Sequence, residues 1–188
     1  MPSEPSNENA IPPADRPWMA ESYGVDAGKQ AGMLSWEWVS AQMAAARNYW
    51  IGSTRPDGRP HAMPVWGIWL EGRFYFGTGD TSVKARNLAA NPQVVVHLES
   101  GDETVIMEGT AEPVRDWPLL VRIAAVYAAK YEGYNPEPNP DSEDVFYMVK
   151  PQVVMAWLER EFLTSPTRWR FDQDRKSTRL NSSHVSES

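Results

Sequence analysis

The stretch YWIGSTRPDGRPHAMPVWGIWLEGRFYFGTG, Tyr49 to Gly79, constrains the fold more than any other part of the chain. Pro56-Asp57-Gly58 joins a residue of fixed φ, a side chain that bonds its own backbone and a residue free to take positive φ, which together signal a reversal. Glu71-Gly72 signals a second one. The segments between the turns are rich in β-branched and aromatic residues, so the stretch predicts three consecutive antiparallel strands, a meander.

The same reading extends in both directions. Ser35 is placed to cap a helix over WEWVSAQMAAARNY, with Val39, Met43 and Ala46 at helical spacing, whose expected role is to cover a sheet or plug a barrel end. A short helix starts near Ser82 and stops at Asn91-Pro92; QVVVHLES and TVIMEGTAEPV follow as strands joined at Gly101-Asp102. Asp116 caps a further helix with Pro118 in its first turn, turning Leu119, Ile123, Val126 and Tyr127 to the core and ending at Gly133. VFYMVK and QVVMAWLE read as a strand pair separated by Pro151, and TSPTRWRF as a short terminal strand or ordered tail carrying Arg168 and Arg170. About seven or eight strands and three helices, without regular strand-helix alternation, predict a mostly antiparallel barrel with peripheral helices.

The 188 residues suit one domain, expected over 31–172. Residues 1–30, rich in Pro, Glu, Ser and Asn, are expected to form a flexible lead or an arm lying on the surface, and 173–188 a disordered tail. Lys176 through Ser188 resemble the translated read-through of a sequencing-library adapter and are set aside from functional reasoning. Neither a basic n-region nor an apolar h-region opens the chain and no apolar run reaches the length of a membrane span, so the expected location is cytoplasmic. With no cysteine, disulfides, thiolate metal sites and thiol nucleophiles are excluded. A net charge of -7, from 18 Lys plus Arg against 25 Asp plus Glu, argues against a general nucleic-acid or anionic-membrane surface.

Against that acidic background, TGDTSVKARN places Thr78, Ser82, Lys84 and Arg86 around a turn and a helix start. Unpaired N–H groups there, joined by a hydroxyl and an ammonium, would make a phosphate cradle. The same residues also read as a capped helix with a solvated basic face. No spacing of His, Asp and Glu resembles a metal site, and no catalytic residue is assigned. His61, Tyr75 and Tyr127 are candidate proton donors, among which the sequence does not choose. Trp50, Trp66 and Trp69 could fill a core, build a subunit interface or wall a flat-ligand pocket.

YWIGSTRPDGRPHAMPVWGIW, FYFGTGDTSVKARNLAANPQVVVHLE and MEGTAEPV, taken in order, are similar to the pyridoxamine 5'-phosphate oxidase-like superfamily of flavin- and deazaflavin-binding split barrels, from about Leu34 to Phe171. The resemblance implies a split β-barrel and a homodimer with cofactor sites at the subunit interface. It further implies a phosphate clamp at Thr78, Ser82 and Lys84, and a ring lying against the backbone of Pro64, Val65 and Trp66. Val83 stands where true pyridoxine phosphate oxidases carry an arginine, and Met63 and Ile68 stand where those enzymes place charge. ARNYWIGSTRPDGRPHAMPVWG and TSPTRWRF resemble instead the actinobacterial branch that uses coenzyme F420, for which Arg55, Arg59 or Arg86 would meet the carboxylates of the cofactor tail. The implied function is an F420-dependent oxidoreductase, with FMN as the alternative cofactor, transferring hydride to or from a small planar or conjugated substrate. The alternative is a non-enzymatic binder of flavin, F420 or a haem-like ligand.

Overall fold

The computed structural model describes residues 10–137 and 143–171. Its strands are Ala14–Asp15 (β1), Asn48–Thr54 (β2), Pro60–Leu70 (β3), Arg73–Gly79 (β4), Gln93–Leu98 (β5), Glu103–Pro113 (β6), Asp144–Leu158 (β7) and Thr167–Arg170 (β8). Three α-helices accompany them, Trp36–Ala45 (α1), Val83–Ala90 (α2) and Trp117–Lys130 (α3). The strand order β1-β8-β7-β4-β3-β2-β5-β6, with β6 returning to β7, closes six strands into an antiparallel barrel and leaves β8 and β1 as an extension along β7. The expected mostly β split barrel with peripheral helices is the observed fold.

Local chemistry explains the meander. In the first turn Gly58 takes φ 84°, its N–H donates to Arg55 O at 2.8 Å, and Arg59 closes on the Asp57 carboxylate at 2.7 Å. In the second, Glu71 and Gly72 both hold positive φ, 51° and 75°, the twist that suits a two-residue hairpin. Tyr49 and Ile51 of β2 point into the barrel interior beside Val65 of the neighbouring β3, where Phe74, Phe76, Val96, Met107 and Val154 complete the core. At its N-terminus α1 is capped by the Ser35 hydroxyl, which accepts from Trp38 N, and it packs Trp36, Val39 and Met43 into this same core. Ala46 falls just beyond that helix. The α3 face that packs inward is Leu120, Ile123, Ala124 and Tyr127, with Leu119 and Val126 only partly covered, so the buried stripe is offset from the expected one. The helix stops at Lys130, and Gly133, at φ 79°, serves the turn after it.

One expectation is corrected. Residues 144–158 form one strand, not a pair broken at Pro151. Gly109 pairs with Pro151 and Glu108 with Val153, so a bulge accommodates the extra residue. Along its other edge β7 pairs with β4 up to Val149 and with β8 from Val153, and Pro151, which has no N–H to offer, stands in the gap between these partners. Gly109 is required there, because a Cβ would lie 2.2 Å from the Lys150 carbonyl oxygen.

From Ala10 on, the N-terminal arm is tied to the barrel at several points. β1 pairs with β8, and Asp15 accepts from Arg168 at 2.9 and 3.0 Å and from Arg170. Arg16 is buried and donates to the carbonyls of Lys29, Ala31, Thr164 and Pro166. These bonds cross the two ends of the domain, which is why no local pattern announces them. Residues 1–9 and the tail assigned to 173–188 lie outside the described residues.

Candidate functional site

β3 and β4 are paired from Leu70 and Arg73 as far as Gly67 and Phe76, and then part. Beyond that fork β3 stays with β2, while Gly77, Thr78 and Gly79 of β4 stay with Phe146, Val145 and Asp144 of β7. Between the diverging strands lies a cleft of about 290 Å³. Pro64, Val65 and Trp66 line one side, Gly77 and Thr78 the other, with Lys84, Tyr127, Tyr134, Asp144 and Phe146 completing it.

Tyr127 stands at the fork. Its hydroxyl lies 3.0 Å from Trp66 O and 3.3 Å from Tyr75 O, so one phenol proton serves carbonyls of both strands where they separate. Beside it, Tyr131 accepts from Gly67 N at 2.8 Å and reaches Arg47 O at 2.7 Å, while Lys130 donates to Gly67 O at 2.9 Å and Tyr49 Oη at 2.7 Å. Trp66 stacks on Tyr131 with ring centroids 4.5 Å apart, and the Arg47 guanidinium lies over both rings. Burial lowers the Lys130 pKa to about 8 and raises that of Tyr127 well above the usual phenol range.

The other end of the cleft is hydroxyl-rich and cationic. Ser82 caps α2, accepting from Ala85 N at 3.0 Å, and its hydroxyl lies 3.0 Å from that of Thr78. Lys84 is half-buried, and burial lowers its pKa. No carboxylate among the described residues forms an ion pair with it. Nearby, His61 Nδ1 is buried with no hydrogen-bond partner; burial first, then the charges of Arg55 and Lys84, lower its pKa. Behind them Asn87 donates to Ser53 Oγ at 3.0 Å in a buried pair.

Of the residues singled out in the sequence, the cleft brings together Pro64, Val65, Trp66, Thr78 and Lys84. Ser82 stands directly behind Thr78 as the helix cap. Arg55, in the turn after β2, is outside the lining but close enough to act on His61. Arg86 is exposed and does not line the cleft, since residues two apart on a helix face opposite ways. Arg59 is held by Asp57. Trp69 packs against Trp36 at the core, not in the cleft. Tyr75 is 2% exposed, and the Tyr127 hydroxyl is committed at the fork, so neither offers a free donor. Tyr134, Asp144 and Phe146 escaped the sequence reading. The first was within reach, because Tyr127, Tyr131 and Tyr134 are spaced four and three residues apart in the sequence, whereas the other two arrive from a distant strand.

A closed six-stranded antiparallel barrel with a cleft opening where β3 and β4 part defines the class. Residues 36–158 match the family model described as pyridoxamine 5'-phosphate oxidase, and the chain belongs to that family. No curated protein matches the sequence significantly. Among solved structures, a conserved hypothetical protein of Mycobacterium tuberculosis is similar at 27% identity and TM-score 0.60, covering 70% of this chain and 91% of its own. A structure described as an F420 reductase is similar at 23% identity and TM-score 0.50, covering 61% and 94%. A FAD-binding protein of Mesorhizobium loti follows at 19% and 0.53, covering 72% and 95%. The last two, at these identities, speak to the fold alone. No helix among the described residues is long and apolar enough to cross a membrane.

Proposed function

We propose that the protein is an oxidoreductase that uses coenzyme F420, or FMN in its place, to transfer hydride to or from a small planar substrate. The observation that carries this reading is Lys84, a half-buried cation without a carboxylate partner among the described residues, set beside two hydroxyls at a helix start and an orphaned histidine nitrogen. A desolvated cation left unpaired is costly, and a phosphate group bound there would offset that cost. The aromatic end of the same cleft suits a flat ring system.

Thr78 and Lys84 would hold the phosphate, with Ser82 fixing Thr78, and the backbone of Pro64, Val65 and Trp66 would face the ring. The bound cofactor supplies the hydride. The chain's own contribution is to orient the ring, to exclude water with Trp66, Tyr127 and Phe146, and to hold the two strands apart. Preference for F420 rests on Val83 in place of an arginine, and on Arg55 beside His61 as a partner for tail carboxylates. Met63 and Trp66, 43% and 41% exposed on β3, support a second copy of the chain covering this site as a homodimer. A cytoplasmic location belongs to the same reading.

The test is the absorbance spectrum of the purified protein, followed by titration with F420 and FMN and assay of the reduced cofactor's turnover. Binding of F420 with turnover is the expected result. Tight FMN binding without F420 binding would overturn the cofactor preference; binding of either, or of haem, without turnover would make this a binding protein. No binding at all would overturn both.

A further inference from the structure

The cleft is lined by two tyrosines with different commitments. Tyr127 is 2% exposed and its hydroxyl serves Trp66 O and Tyr75 O. Tyr134 is only partly buried, and among the described residues nothing donates to or accepts from its hydroxyl. Its ring, by contrast, is held on two sides. It meets Trp66 edge to face at 5.7 Å and 71°, and Tyr127 at 5.9 Å and 67°. Its backbone is fixed as well, since Tyr134 N donates to Tyr131 O at 3.0 Å through a turn that Gly133 closes at φ 79°. A phenol whose ring is immobilised at the wall of a cavity while its hydroxyl stays uncommitted is a preorganised hydrogen-bond donor.

We infer that Tyr134 is the specificity-determining residue of the cleft, donating a hydrogen bond to an acceptor oxygen at the edge of a flat ring system bound between β3 and β4. The inference rests on the proposed cofactor-binding reading only for the identity of that ring. Acceptor oxygens of this kind occur both on the carbonyl-bearing rings of F420 and FMN and on a conjugated carbonyl substrate. Apolar walls from Trp66, Tyr127 and Phe146 favour any flat ring without discrimination, so the edge contact is what separates a carbonyl-bearing ligand from its hydrocarbon analogue. Burial, and secondarily the Asp144 carboxylate, raise the Tyr134 pKa, which keeps the hydroxyl protonated and able to donate across the neutral range.

Equilibrium dialysis tests this on the full chain with Tyr134→Phe, which keeps the ring and its packing and removes only the hydroxyl. Four probes are used: F420, FMN, 9-fluorenone and fluorene. A net hydrogen bond corresponds to about three- to tenfold in affinity. The expected result is a loss of that size for at least one carbonyl-bearing probe, with fluorene binding unchanged. Loss confined to F420 or FMN assigns the acceptor to the cofactor, and loss confined to 9-fluorenone assigns it to the substrate. Equal binding of all probes by parent and variant overturns the inference, as does equal loss for 9-fluorenone and fluorene, which would mark a packing role. If the parent binds 9-fluorenone in a Tyr134-dependent way but neither cofactor, the cofactor reading fails and this inference stands.

Discussion

The Tyr127 hydroxyl lies within hydrogen-bond distance of two carbonyls on different strands, Trp66 O at 3.0 Å and Tyr75 O at 3.3 Å. One side chain from α3 thereby marks the place where the β3–β4 ladder ends and the cleft begins. Replacing it by phenylalanine removes this shared donor from both carbonyls. We predict that Tyr127→Phe lowers stability by about 1–2 kcal/mol and weakens cofactor binding by altering the fork. Thermal melts and a cofactor titration check it; an unchanged melt would remove Tyr127 from this role.

Lys84→Ala separates a phosphate clamp from a solvated helix face. A charge-assisted hydrogen bond contributes about 1.5–3 kcal/mol, so the clamp predicts roughly ten- to a hundredfold weaker cofactor binding. Its salt dependence should also shrink. Stability of the cofactor-free protein should stay within about 0.5 kcal/mol, because no ion pair is lost. Titration at two salt concentrations reads both, and equal affinities for parent and variant would leave only the solvated helix face.

Lys130 gives a pH signature of its own. Its pKa is about 8 in the folded chain, against the usual 10.5, because burial disfavours the charged form. Between those values the unfolded chain binds more protons than the folded one, so this group's contribution to stability rises with pH through that window. Lys130→Met should flatten the rise. Buried Tyr49 and Tyr127, whose pKa values are raised above the usual 10, act in the opposite sense above that pH. Urea melts from pH 7 to 10 distinguish parent from variant, and parallel curves would refute the assignment.

Arg16 ties the N-terminal arm to the loop before β8 through carbonyl oxygens only, those of Lys29, Ala31, Thr164 and Pro166. Arg16→Ala leaves these buried acceptors without a donor and should cost about 2–4 kcal/mol. Limited proteolysis is the sharper readout. Cleavage within residues 17–33 should become fast while the barrel stays intact, and an unchanged digestion pattern would show that the arm is held by other means.

Much of the barrel was legible in the sequence because its determinants are local. Pro56-Asp57-Gly58 and Glu71-Gly72 dictate reversals through their own φ preferences, Ser35, Ser82 and Asp116 cap helices a few residues away, and Thr78 with Lys84 sits within one turn and helix start. The sequence by itself therefore determined the meander, the three helices and the basic end of the cleft. Pairing between distant segments was decided only in three dimensions. Pro151 reads as a break, yet a bulge against Gly109 and a change of neighbour from β4 to β8 let a single strand run through it. Arg16 looks like a surface charge, and only the approach of residues 164–166 supplies its acceptors. Arg86 and Lys84 look equivalent in sequence, but the helix turns one into the cleft and the other into solvent. The aromatic wall needed the same long-range assembly, because Trp66, Tyr134 and Phe146 come from three separate segments and meet only once β3 and β4 part.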